Sequence, residues 1–186
     1  ALPGRAAARA VVPEGLGTYA RGIGFAHVTE LPWGATVAVG PVTVTAIPAV
    51  HFSGRGLFDR NRTHWNGYLI DSAHRRVYFA GDTAYSPALG EAASVGGGCD
   101  LALVPIGAYM PAEIMSAVHS TPEEAVQIGR DARATRVLGM HWGTISLSTE
   151  PTFEPPLRFT AAAQRSGFRD DEILTPPIGL TTFLDG

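Results

Sequence analysis

Residues 77–85 read Val77-Tyr78-Phe79-Ala80-Gly81-Asp82-Thr83-Ala84-Tyr85. The stretch is an apolar strand that runs into a glycine and then a lone aspartate. A carboxylate at the mouth of a strand that should be buried can cap a helix, close a turn or hold a metal. The residues around it must decide among these.

On the N-terminal side, Thr36–Val39 and Val42–Ile47 alternate like strands around a Gly40-Pro41 turn. Gly67–Asp71 and Arg76–Ala80 form a second predicted hairpin, joined by Ser72–Arg75. On the C-terminal side, Pro87–Ser94 reads as a short helix, and Leu101–Pro105 is a continuous apolar run, as expected of a strand covered on both faces. The clearest helix start is Thr121-Pro122-Glu123-Glu124, which offers a cap, a proline at the first helical position and a capping box. That helix should run to Ala132. A strand over Arg136–Met140 follows, then a helix over Leu157–Gln164, and strands at Ile173–Thr175 and Gly179–Phe183. A short helix over residues 3–10 is expected behind Pro3. Strands dominate the first half and strand-helix-strand units the second, so the fold class is α/β with sheets covered by helices.

The chain has 186 residues, 45% hydrophobic and 17% charged, enough for one domain with a substantial core. No apolar run approaches the ~18 residues of a membrane span. Net charge is −3 and all 14 basic residues are arginines, scattered rather than clustered, which argues against nucleic acid as a partner. Cys99 is the only cysteine, so no internal disulfide forms; this points to a reducing, cytoplasmic setting. Cys99 precedes an apolar strand and reads as a small buried residue.

Asp82 has counterparts. His51 follows the strand ending at Ile47, and His141 follows the strand ending at Met140. Strand ends are rigid and open to solvent, so they suit a shared site. Imidazole nitrogen and carboxylate oxygen are ligands that zinc accepts, and a carboxylate can bridge two metals. A turn histidine and a helix cap before Ser86 are the plain alternatives. His119 lies two residues before the predicted cap Thr121, where a neutral imidazole can donate a hydrogen bond or serve as acid or base. A turn histidine is again the alternative. His27 reads as structural, His64 as packed on Trp65, and His74 as solvated.

Five blocks carry a resemblance: residues 45–70 (TAIPAVHFSGRGLFDRNRTHWNGYLI), 77–87 (VYFAGDTAYSP), 100–111 (DLALVPIGAYMP), 119–132 (HSTPEEAVQIGRDA) and 137–156 (VLGMHWGTISLSTEPTFEPP). Together they resemble metallo-β-lactamase-fold hydrolases, in the branch containing N-acyl-phosphatidylethanolamine-hydrolysing phospholipase D. The similarity spans residues 30–175. It implies a four-layer αββα sandwich with a metal site at one edge. It implies two zinc ions, with His51 on the first, His141 on the second and Asp82 bridging them. His119 would lie beside the metals near the substrate. The implied reaction is attack of a metal-activated hydroxide on a phosphodiester, with Asp82 and His119 as the catalytic residues. Arg55 is a candidate phosphate contact and Tyr109 a candidate pocket residue; a solvated loop arginine and a packed tyrosine are the alternatives.

The same resemblance implies an early His-x-His-x-Asp-His loop, and no two of the six histidines here are two residues apart. The chain is therefore expected to be mainly the second half of the sandwich. Residues 1–35 would be linker or the end of the first half, and residues 36–186 the second half. By itself it should bind metal weakly and turn over negligibly. A lactonase or ester hydrolase on the same scaffold is the second enzymatic reading. A non-catalytic remnant, or half of a split protein, is the reading from another class. Expected partners are a phospholipid or small-molecule substrate, with a membrane surface (peripheral contact), a second copy of the chain or a missing N-terminal half left open.

Overall fold

The structure, a computed structural model, describes residues 4, 6–56 and 58–184. A strand β1 (Arg9–Pro13), a short helix α1 (Gly17–Gly22) and a strand β2 (His27–Leu31) come first, with β1 and β2 paired in parallel. The expected helix over residues 3–10 does not form as read. Pro3 and Arg5 lie outside the described residues, and Arg9 and Ala10 are already in β1. The run Arg9–Pro13 finds parallel pairing with β2, which overrides the helix preference of the alanines before it.

A seven-stranded sheet follows in strict sequence order. It contains β3 (Thr36–Val39), β4 (Val42–Pro48), β5 (Asn66–Ser72), β6 (Arg76–Phe79), β7 (Leu101–Pro105), β8 (Arg136–Met140) and β9 (Ile173–Leu174). The first three pairings are antiparallel, the hairpin joints being those expected at Gly40-Pro41 and Ser72–Arg75. From β6 onward the pairings are parallel, which requires crossovers. These carry α2 (Pro87–Ser94), α3 (Ala112–Met115), α4 (Pro122–Asp131) and α5 (Glu154–Arg165). The α4 start is the capping box read from sequence: Glu124 N–H donates to Thr121 Oγ1 and Thr121 N–H to the Glu124 carboxylate. Gly179–Phe183 forms no strand.

Alternation splits the seven-stranded sheet into two unlike faces. On one, Leu69, Tyr78, Ala102 and Val137 pack with Val126 and Ile128 of α4 and Phe159 of α5; all are buried in the main core. On the other, Val44, Ala46 and Tyr68 are covered by Leu31 of β2 and Val11 of β1. That cover stops at the β3–β5 side. Ile70, towards the end of β5, and Phe79 of β6 are each 37% exposed, and Leu138 and Met140 of β8 are only half-buried. The pairings Tyr68–Phe79, Phe79–Leu103 and Leu103–Leu138 put these residues on one face.

Candidate functional site

Counting by pairing, β4, β6 and β8 run the same way, so their C-terminal ends share one edge of the sheet. His51, Asp82 and His141 lie just beyond those ends. Gly81 makes the exit from β6. Its φ is +72°, a left-handed conformation that glycine adopts freely, and a Cβ there would sit 2.8 Å from the Asn66 carbonyl oxygen. His141 adopts a φ of +62° itself, turning the chain as it leaves β8.

Thr83 joins the first two exits. Its fully buried hydroxyl accepts from Val50 N–H at 2.8 Å and donates to the Ala84 carbonyl at 2.7 Å, while Ala84 N–H donates to the Val50 carbonyl at 2.9 Å. The loop bearing His51 is thereby fixed to the loop bearing Asp82. Asp82 is not the cap of α2: that cap position is Ser86, with no side-chain cap bond. The fourth group comes from the crossover before α4. The buried Ser120 hydroxyl donates to the Pro105 carbonyl at 3.0 Å, and His119 N–H to the Met115 carbonyl at 2.8 Å, so His119 is held between the end of β7 and α4.

These four side chains meet. His119 Nδ1 is 2.8 Å from Asp82 Oδ1, while His51 Nε2 and His141 Nε2 are 3.3 and 3.4 Å from Asp82 Oδ2. The His119 ring stands 5.2 Å from that of His51 and 5.5 Å from that of His141. The 2.8 Å separation would suit a hydrogen bond, but the direction does not. His119 Nδ1 and Asp82 Oδ1 are buried without a hydrogen bond of acceptable angle, as is His51 Nε2. Convergence of lone-pair atoms without bonds between them is what a cation needs. One ligand atom each from His51, Asp82 and His119 lies within 4.8 Å of the others. Two imidazole nitrogens and a carboxylate oxygen fit a borderline divalent ion, and His141 Nε2 stands 3.4 Å from the same carboxylate.

The electrostatics agree. Burial pushes the Asp82 carboxyl up, but the imidazoles of His119, His141 and His51 outweigh it and hold the group well below the usual carboxylate range. The Asp82 carboxylate in turn raises His51 and His141 above the ordinary imidazole value, against the opposing effect of burial. His51 Nδ1 lies 2.9 Å from the Phe52 carbonyl. Donation there leaves Nε2 as the free lone pair facing Asp82, the arrangement by which a backbone carbonyl orients a ligating histidine.

A hollow of about 520 Å³ opens beside the cluster. His51, Phe52, Arg55, Asp82, Met140 and His141 are among its walls. Arg55 is thus placed with the cluster; its guanidinium lies over the Tyr19 ring, 5.2 Å from the centroid. Tyr109 is not. It is 3% exposed, its hydroxyl bonds Glu154 Oε1 at 2.9 Å and its ring lies under the Arg158 guanidinium, so it packs against α5. His64 also departs from its reading: it stacks on Trp33 at 4.6 Å, with Trp65 edge-on to the same indole. Cys99 is buried, as read. Two residues went unread. Thr83 was visible only as part of Gly-Asp-Thr, and Phe52, stacked on His51 at 4.8 Å, only as an aromatic next to a candidate ligand.

Comparison with known proteins points the same way. The chain is 36% identical over 182 residues to the mitochondrial N-acyl-phosphatidylethanolamine-hydrolyzing phospholipase D of Saccharomyces cerevisiae, covering 94% of this chain and 39% of that one. It is 39% identical over 136 residues to N-acyl-phosphatidylethanolamine-hydrolyzing phospholipase D 1 of Caenorhabditis elegans, covering 69% of this chain and 38% of that one. The chain therefore spans about two fifths of the length of these relatives. Among solved structures, Igni18, a metallo hydrolase from Ignicoccus hospitalis, superposes with a TM-score of 0.64 at 20% identity, over 92% of this chain and 66% of that one. CmlA, a diiron β-hydroxylase from Streptomyces venezuelae, does so with 0.67 at 22% identity, over 90% and 38%. These two show the shared fold alone. The family model for the β-lactamase superfamily domain matches residues 4–142, three quarters of the chain, and the protein belongs to that family.

Proposed function

We propose that this chain is the second half of a zinc-dependent hydrolase of phosphodiester bonds, acting in the manner of a phospholipase D on lipids like N-acyl phosphatidylethanolamine. The observation that carries it is the convergence of His51, His119 and His141 on the Asp82 carboxylate, with His51 Nε2, His119 Nδ1 and Asp82 Oδ1 buried and without hydrogen-bond partners. The names of the yeast and worm relatives support the substrate class. Zinc is favoured by the donor set of imidazole nitrogens with one carboxylate, although the diiron centre named for CmlA illustrates that the fold accommodates another metal.

His51, His141 and Asp82 would hold the metal, with Asp82 shared between two ions. Bound zinc neutralises phosphate charge and lowers the pKa of water. The chain's own residues do the rest. Donation from His51 Nδ1 to the Phe52 carbonyl would aim Nε2 inward, towards Asp82. His119, beside Asp82 Oδ1, is placed to donate a hydrogen bond or pass a proton to a reacting oxygen. Arg55, in the wall of the same hollow, offers a guanidinium to a phosphate.

The bare sheet face supports the half-sandwich reading. Among the described residues β1 and β2 cover only the β3–β5 side, and Phe79, Leu138 and Met140 form an apolar surface beyond them. The remaining strands of a first sheet, supplied by an N-terminal half with the missing ligands, would cover it. The test is Asp82→Ala in the protein carrying both halves, assayed for retained zinc and for hydrolysis of N-acyl phosphatidylethanolamine beside a sugar lactone. Loss of both zinc and lipid hydrolysis is expected. Unaltered hydrolysis would overturn the assignment, and faster turnover of the lactone would replace the substrate.

A further inference from the structure

The exits of β7 and β8 are fastened together by one carboxylate. Gly107 approaches the His141 backbone so closely that a Cβ at position 107 would sit 2.3 Å from the His141 carbonyl oxygen, and Ile106 N–H donates to the Met140 carbonyl at 2.9 Å. Ala108 follows in a left-handed conformation, with a φ of +64°. That conformation is unfavourable for an alanine, so its surroundings must hold it there. Glu150, at the far end of the segment that follows His141, returns to do so. Its Oε1 accepts from Ala108 N–H at 2.7 Å and from the Ser148 hydroxyl at 2.6 Å, and its Oε2 accepts from Met110 N–H at 3.3 Å. Thr149 N–H closes the same joint on the Met110 carbonyl at 3.4 Å.

Burial pushes the Glu150 carboxyl up, but the Ser148 hydroxyl and the backbone amides outweigh it and hold the group below its ordinary range. An ionised carboxylate is therefore bonded to the N–H of the Gly107–Ala108 peptide. The carbonyl of that trans peptide points the opposite way. His141 is the group it acts on. The Asp82 carboxylate is the main group that raises His141 above its ordinary value, and the Gly107 carbonyl adds to it. His141 Nε2 faces Asp82 Oδ2 at 3.4 Å, while Nδ1 is buried without a hydrogen bond of acceptable angle. Carboxylate, peptide and imidazole thus stand in series, with Nε2 at the cluster end.

A negative charge on the N–H side polarises a peptide and strengthens its carbonyl as an acceptor. An imidazole that donates its second N–H to such a carbonyl is oriented by it and becomes a better metal ligand.

We propose that Glu150 is a positioning residue for His141: through the Gly107–Ala108 peptide it fixes the carbonyl that takes the Nδ1 proton, and so aims Nε2 at the metal. This rests on His141 as a metal ligand in the function proposed above and adds the residue that orients it. Glu150 acts through the peptide rather than on the substrate.

The test uses the protein carrying both halves. Zinc affinity is measured by competition with a chelator, and exchange of the His141 Nδ1–H with water is followed by NMR in zinc-loaded protein labelled at histidine. In the parent that proton should exchange slowly. Glu150→Ala should lower zinc affinity about tenfold, the low end for groups that orient a ligating histidine, and should speed the exchange. Glu150→Gln keeps one acceptor oxygen and should fall between; it decides the question if the alanine variant does not fold. Gly40→Ala is the control for lost stability: Gly40 has a φ of +59° and precedes β4, at the end opposite His51, and its replacement should leave both readouts at parent values. Equal changes in Gly40→Ala, or lowered zinc affinity with unchanged exchange in the Glu150 variants, would show a merely structural role and overturn the proposal. Parent values of both readouts in the Glu150 variants overturn it too, and leave the hydrolase reading standing. Absence of bound zinc in the parent overturns the metal reading and this proposal with it.

Discussion

Gly81 is the residue whose replacement tests the site and the fold together. In Gly81→Ala the new side chain must adopt a φ of +72°, which costs an L-residue roughly 1–2 kcal/mol. Its Cβ would also fall 2.8 Å from the Asn66 carbonyl oxygen. That atom is backbone in β5, so no rotamer relieves the contact and a strand must shift. Overpacking of this kind adds roughly 1–3 kcal/mol, for a total of about 2–5 kcal/mol. Gly34→Ala separates the two effects, since Gly34 has a φ of +79° and nothing within 4 Å of the added Cβ. It should lose only the conformational part, about 1–2 kcal/mol. Urea unfolding of the two variants and the parent, at constant m, gives the difference. Because Asp82 follows Gly81 directly, the shift should also reduce zinc retained after dialysis in Gly81→Ala but not in Gly34→Ala. Equal midpoints for the two variants, with zinc retained in both, would refute the claim that close approach of β5 fixes the carboxylate.

Thr121→Ala removes the capping box of α4 and should lower stability by about 1 kcal/mol in urea unfolding; Thr121→Ser should recover most of it. In metal-free protein the raised His51 and His141 contribute stability that is full below the ordinary imidazole value of 6.5 and is lost as pH rises through their folded values. The lowered Asp82 contributes stability present above its ordinary value of 3.8 and lost as pH falls through its folded value. The cluster should therefore stabilise the metal-free chain most on the acid side of neutrality, between those limits, as read from urea midpoints against pH. Zinc needs unprotonated imidazoles, so its apparent affinity should move oppositely, weakening as pH falls, with protons released on binding in calorimetry.

The sheet was legible because its strands carry their own punctuation. The Gly40-Pro41 turn, the Ser72–Arg75 joint and the Thr121-Pro122 start each encode a local geometry that tertiary contacts did not overrule. Arg9–Pro13 and His27–Leu31 were harder. Their pairing is parallel and non-local, and their role depends on covering Val44 and Ala46. The tail at Gly179–Phe183 failed in the opposite sense: read as a strand, it forms none, and Leu180 N–H closes a turn on the Pro177 carbonyl instead. At the site, residue types at strand ends brought forward His51, Asp82 and His141. The place of His119 was visible from the helix start behind it. Neither Thr83 nor Phe52 was readable, because their roles lie in hydrogen bonds and stacking across loops that only the folded chain brings together.

The bare sheet face and the open site are physically one surface. Phe79 and Met140 belong to the sheet face that no helix covers among the described residues, and both also line the hollow beside His51, Asp82 and His141. Any layer laid over Phe79 and Leu138 must therefore end next to the cluster and become a wall of that hollow. On the half-sandwich reading, covering the apolar face and supplying further ligands would then fall to the same piece of chain. On that reading, burial of the sheet would stabilise the folded state, and a metal would add binding energy once the layers are assembled. The two contributions should be coupled. A charged residue at Leu138, which lies on the same face but outside the hollow, should reduce both assembly and zinc affinity. Zinc affinity preserved in Leu138→Glu, with assembly lost, would separate the two and show that the cluster closes around its metal without the second layer.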